Sequence, residues 1–158
     1  MEYRKLTEQY DKAIAEIIRS NLEKHDLNIP GTVYFDEELD HLSVFYDNSG
    51  RAYDVLIENG MVIGGIGYAE FDGFENCCEM QKLYLIESAK GRGIGYDLIY
   101  HMEEEAKTAG YGRVYLETHT RLEAAIHLYE KCGYREIERP ESVIHSTMNR
   151  FFLKELCD

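Results

Sequence analysis

The sequence predicts one α/β domain, with a central sheet carrying helices on both faces. Three observations point there. Asn59-Gly60 separates two strand-like runs, Tyr53 to Ile57 and Met61 to Tyr68, as a tight hairpin requires. Beyond the hairpin, strand and helix periodicities alternate, giving β-α-β-α-β-β. The 158 residues suit one compact core and contain no repeat, linker or low-complexity tract, so residues 1–158 are read as a single domain.

From Asp11 to Leu22, the residues Ala13, Ile14, Ile17, Ile18 and Leu22 recur at helical spacing. His25 to Phe35 contains Pro30-Gly31 and reads as a loop. Asp36 is placed to cap a short helix carrying Leu39, Leu42 and Phe45. After the hairpin, Phe71-Asp72-Gly73 breaks the chain before a strand from Cys77 to Ile86. A Gly-rich turn then opens a helix with the stripe Ile94, Leu98, Ile99, Met102 and Ala106; Glu103 and Lys107 are expected to pair on its wet side. Gly110 ends that helix, and Val114 to Glu117 forms a short strand. Thr120-Arg121-Leu122-Glu123 has the form of a capping box, opening a helix through Ala124, Ala125, Leu128, Tyr129 and Cys132 that Gly133 stops. Strands Tyr134 to Glu138 and Met148 to Leu156 close the chain. Phe151 and Phe152 on the last strand are assigned to the core, a homodimer surface being the alternative.

The net charge of −13, from 17 Lys and Arg against 30 Asp and Glu, makes an extended basic face improbable, so no nucleic-acid partner is expected. An amine substrate suits that charge, although solubility explains it as well. No apolar run reaches membrane-spanning length, so no membrane partner is expected. Met1 to Tyr10 lacks the apolar stretch of a signal peptide, and a cytoplasmic location is the default expectation. Cys77, Cys78, Cys132 and Cys157 form no CxxC pair, and no metal-ligand histidine spacing accompanies them, so free thiols and no metal are expected.

Strand, Gly-rich turn and helix in that order make an anion cradle. A helix N-terminus presents unpaired N–H groups and about half a positive charge. Gly91, Gly93 and Gly95 let the backbone approach a phosphate oxygen closely, and Lys90 and Arg92 add charge. The spacing matches neither GxxxxGK[ST] nor GxGxxG. Glycines that merely make a tight turn remain the plain alternative.

Lys90-Gly91-Arg92-Gly93-Ile94-Gly95 resembles the [RQ]xxGx[GA] turn of the GNAT superfamily of acetyl-CoA-dependent N-acyltransferases, with Lys90 in place of the usual Arg or Gln. Ala125 to Tyr134, AIHLYEKCGY, resembles the family's A-x-x-L-Y-x-x-x-G-[FY] segment, one helix and one strand downstream. The resemblance covers roughly residues 77 to 138. It implies a mixed, mostly antiparallel sheet in which the strand ending near Leu85 splays from the one ending near Glu117. Acetyl-CoA, as acyl donor, would be held by Lys90, Gly91, Arg92, Gly93, Ile94, Gly95 and Tyr96 at its pyrophosphate. Its pantetheine arm would pair with the backbone of Leu83, Tyr84 and Leu85 like an added strand.

Acyl transfer to an amine through a tetrahedral intermediate needs a base, an oxyanion donor and an acid for the departing thiolate. The resemblance assigns the acid to Tyr129, with packing as the alternative, and a backbone N–H near Leu85 is read as the oxyanion donor. It suggests Glu79 as base, acting directly or through water, on the same strand face as Leu83 if no bulge intervenes. His119 is the rival base by position. The acceptor is read as a small amine or amino-acid-like molecule. A protein or peptide amine and a non-catalytic acetyl-CoA-binding domain are the alternatives.

Overall fold

A computed structural model describes residues 1–157. Its order is β1 (Glu2–Lys5), α1 (Glu8–Lys24), two short 3-10 turns, α2 (Leu42–Tyr46), β2 (Ala52–Glu58), β3 (Met61–Phe71), β4 (Cys77–Leu85), a third 3-10 turn (Glu87–Ala89), α3 (Ile94–Thr108), β5 (Arg113–Thr118), α4 (Glu123–Lys131), β6 (Arg135–Ile137) and β7 (Arg150–Glu155). The seven strands form one sheet in the order β1-β2-β3-β4-β5-β7-β6. Every neighbouring pair is antiparallel except β4 and β5. The expected α/β class, the hairpin and the mixed sheet are all present. β1 is an addition: its four residues lie on the sheet edge with mostly exposed side chains, so they carry no apolar alternation to read.

Strand alternation divides the core. Tyr53, Val55 and Ile57 of β2 pack with Ile14, Ile18 and Leu22 of α1 and Leu42 of α2. Leu56 points the other way, towards Leu98, Ile99 and Met102 of α3 and Tyr129 of α4. Cys77 and Cys78 enter different clusters, as adjacent strand residues should. Cys77, Cys78 and Cys132 are buried free thiols, whereas Cys157 is exposed. Phe151 and Phe152 are both buried within the domain.

Three local expectations are corrected. Glu103 does not face water: it is buried, accepting a 2.8 Å hydrogen bond from the Tyr134 hydroxyl and bonds of 3.0 and 3.1 Å from Lys154 Nζ. Lys107 salt-bridges Glu104 at 2.8 Å instead. Thr120 makes no capping box, because Asn149 Oδ1 engages both its N–H and its hydroxyl, and the N-cap of α4 falls at Leu122. Asp36 makes no side-chain cap. The start of α2 is held from outside by buried Asp11 of α1, which accepts from the Ser43 N–H at 2.9 Å and its hydroxyl at 2.5 Å.

Candidate functional site

β4 and β5 pair over only three positions, Cys77↔Arg113, Cys78↔Val114 and Glu79↔Tyr115, and then part. A bulge in β4 accompanies the separation. Lys82 has φ +53°, and the register with β3 shifts between Gly65 and Gly67. An extra residue bends and twists the bulged strand. Beyond it, Leu83, Tyr84 and Leu85 form one wall of a cavity of about 410 Å³, with Leu116 to Thr118 of β5 on the other side. Lys90, Gly91 and Gly93 to Tyr96 of the Gly-rich turn also line the space, as do Leu128 and Tyr129, whereas Arg92 lies outside the lining.

At the turn, Gly91 and Gly93 have φ of +77° and +78°, and a Cβ built on either meets nothing within 4 Å. These positions need glycine for the left-handed backbone and leave open room above it. Gly95 is there for another reason: its Cβ would lie 2.8 Å from Leu128 Cδ2, so it permits close packing of α3 on α4. No side chain caps α3, and its first-turn N–H groups have no intrahelical acceptors. The two cations already have partners. Arg92 grips Glu58 at 2.6 and 3.1 Å, while Lys90 contacts Asn21 Oδ1 at 2.8 Å and Glu87 at 3.1 Å. An anion held at this turn would therefore meet mainly backbone N–H groups. The open glycine turn, the bare helix start and the cleft beside an unpaired stretch of β4 together fit the pyrophosphate and arm of a coenzyme A thioester.

Asn21 is a site residue that sequence reading missed. It donates to Leu85 O at 3.0 Å and accepts from Lys90, so α1 braces both the end of β4 and the turn. The signal was present: Asn21 lies one helical turn beyond Ile17 on the same apolar stripe, where a polar side chain needs a reason.

Tyr129 is buried, with its ring 6.2 Å from that of Tyr134 and 6.3 Å from that of Phe152. Its hydroxyl has no hydrogen-bond partner among the described residues and is not sealed away, consistent with its place in the cavity wall. Burial, with the nearby Tyr84, pushes the phenol well above its usual 10, so it stays a neutral donor. Burial likewise raises Tyr84 to about 12.

The bulge also changes the strand faces. Gln81 opposes Gly67 and Tyr84 opposes Gly65, so Glu79 shares its face with Gln81 and Tyr84, not with Leu83. Glu79 Oε1 accepts from Gln81 Nε2 at 2.9 Å, and burial raises its carboxyl above 4.5, with nearby Glu117 adding to the effect. Glu79 is set back from the cavity lining, whereas Glu117 is part of it. Glu117 accepts from the Tyr115 hydroxyl at 2.9 Å and the Ser146 hydroxyl at 2.8 Å. His119 lies outside the lining, and its Nδ1 accepts the Arg121 N–H at 3.1 Å. Lys82 was not anticipated as a site residue. It lies on the cavity wall with Nζ 3.4 Å from the Tyr46 hydroxyl, and burial lowers its pKa.

A split parallel strand pair, a Gly-rich turn beside it and a phenol with no partner among the described residues are what a transferase holding a coenzyme A thioester in the gap would need. The chain belongs to the acetyltransferase (GNAT) family, whose model matches residues 13–134, and its activity is acetyl-CoA-dependent N-acetyl transfer. It is 38% identical over 137 residues to an uncharacterised N-acetyltransferase of Escherichia coli K12, YjgM, covering 85% of this chain and 82% of that one. It is also 26% identical over 130 residues to the L-amino acid N-acyltransferase MnaT of E. coli K12, covering 77% and 72% respectively. A GNAT-family acetyltransferase structure from Staphylococcus aureus Mu50 superposes with a TM-score of 0.85 at 24% identity, over 99% of each chain.

Proposed function

We propose that this N-acetyltransferase acts on the primary amine of a small, amino-acid-like acceptor, with Tyr129 serving the departing thiolate. The observation that carries the reading is Tyr129, which lines the β4–β5 gap and whose hydroxyl has no hydrogen-bond partner among the described residues. A thiolate leaving into that gap would accept its hydrogen bond, stabilising charge where water is scarce. Leu83 to Leu85 and the turn from Lys90 to Tyr96 are the proposed donor-binding segments.

The cavity also suits a zwitterion. Lys82 supplies a cation and Glu117 an anion on its wall. In this reading Lys82 pairs with the acceptor carboxylate and Glu117 draws its ammonium. Glu79, whose carboxyl is raised by burial towards the range a general base needs, takes the proton through water. The 26% identity to a protein named for L-amino acid acylation supports this acceptor class over a protein or peptide amine.

Release of CoA thiol from acetyl-CoA, measured with free amino acids, amines lacking a carboxylate and short peptides, tests the proposal. Turnover concentrated on free amino acids is expected. Preference for peptides or carboxylate-free amines would refute the acceptor class. Acetyl-CoA binding without turnover of any amine would favour a sensing domain.

A further inference from the structure

We infer that Asp54, His101 and Glu105 form a site for a divalent transition-metal ion of the zinc type, on the α3 side of β2 and outside the acyl-transfer cavity. His101 Nε2 lies 2.5 Å from Asp54 Oδ2 and 3.3 Å from Glu105 Oε1, and one ligand atom from each of the three residues fits within a mutual 4.8 Å. One imidazole nitrogen and two carboxylate oxygens are zinc ligands, and with three protein ligands a fourth position stays open to water. On a tetrahedron with bonds of about 2.1 Å, ligand atoms lie roughly 3.4 Å apart. The His101–Glu105 contact already has that spacing, and Asp54 needs only to draw back slightly or turn its other oxygen.

That other oxygen is the second, independent sign. Asp54 is 4% exposed, and its Oδ1 is buried with no hydrogen-bond partner among the described residues. An orphaned carboxylate oxygen in such a place is costly unless something binds it. A neutral imidazole with two carboxylates totals −2, which a divalent ion cancels. Ring orientation is set in advance, because Tyr3 of β1 stacks on His101 at 3.7 Å with an interplanar angle of 1°. His101 and Glu105 stand one turn apart on α3 with side chains about a quarter and a third exposed, giving the ion a route in. The nitrogen ligand favours zinc-like ions over magnesium. The expectation of no metal came from cysteine and histidine spacing along the chain, whereas this cluster is assembled across β2 and α3. A bound ion would clamp the β1–β2 edge to the helix whose N-terminus forms the phosphate cradle.

Calorimetry and thermal unfolding of the full chain with Zn²⁺, and with Mg²⁺ as control, test the site. One Zn²⁺ per chain is expected, with Tm raised by about 5–10 °C at 100-fold excess over Kd. Glu105→Gln and His101→Gln should each weaken Zn²⁺ by at least ~100-fold. Circular dichroism checks their folding, and the partly exposed Glu105→Gln decides if His101→Gln does not fold. No Zn²⁺ binding by the wild type up to about 1 mM, or undiminished binding by Glu105→Gln, overturns the site. So does a Co²⁺-loaded spectrum with a thiolate charge-transfer band, which would place the ion on a cysteine.

Discussion

Removing the Tyr129 hydroxyl is the sharpest test of the proposed acyl-transfer site. In Tyr129→Phe the ring keeps its packing against Tyr134 and Phe152, and no partner is orphaned because the hydroxyl has none among the described residues. Stability should stay within about 0.5 kcal/mol of wild type. The catalytic cost follows from the phenol's environment. Its pKa lies well above 10, while a thiol's is ordinarily about 8.5, so full proton transfer to the leaving thiolate is uphill. In the proposed role the hydroxyl would work mainly as a hydrogen bond to developing charge, worth about 1.5–3 kcal/mol. That corresponds to a fall in kcat of roughly 10- to 150-fold. KM for acetyl-CoA should barely move. An acetyl thioester of a more acidic thiol needs less help, so the difference between variant and wild type should shrink with it. Initial rates of thiol release with both donors measure this. An unchanged kcat, or a deficit equally large with the better leaving group, would remove Tyr129 from the chemistry.

Gly93→Ala puts a side chain at φ +78° with open space above it, so backbone strain of about 1–2 kcal/mol should loosen acetyl-CoA, raising its KM or Kd with little change in kcat. Glu79 has its carboxyl raised by burial, so its ionised form is lost as pH falls through that raised value rather than through 4.5. If it is the base, Glu79→Gln should abolish the matching acid limb of the kcat/KM profile, while Glu117→Gln should mainly raise acceptor KM; an unmoved limb in Glu79→Gln would assign the base elsewhere. Lys82→Met should raise KM at least ~10-fold for acceptors bearing a carboxylate and leave carboxylate-free amines unaffected, and equal effects on both would sink the pairing. Lys154→Met strips buried Glu103 of its cation and should cost about 3 kcal/mol, lowering Tm by roughly 6–12 °C in a thermal melt.

Much of this fold was legible because its signals are local. Asn59-Gly60, with φ of +53° and +79°, makes the hairpin turn, and the stripe from Ile94 to Ala106 is buried as its spacing demands. Gly110 and Gly133 follow helices with left-handed backbone, as helix-stopping glycines do. The misreadings concern side chains whose choice of partner is long-range. Glu103 looked like half of a surface pair until Lys154 and Tyr134 came round to meet it. Thr120 had the spacing of a cap, yet Asn149 competes for it from the far end of a loop. β1 was invisible because an edge strand of four residues buries little.

The sequence by itself determined the class of element at most positions and, through Lys90 to Gly95 and Ala125 to Tyr134, the family and the place of the Gly-rich turn. Periodicity, turn chemistry and motif spacing depend on neighbours within a few residues, and those are written in the chain. Only the tertiary structure decided which polar groups would meet. The bulge at Lys82 turned Glu79 onto the Tyr84 face, brought Lys82 to the cavity wall and accompanied the parting of β4 from β5. Packing of β2 against α3 brought Asp54 to His101 across 47 positions of chain. Such meetings depend on where separate elements pack, and no local pattern encodes that.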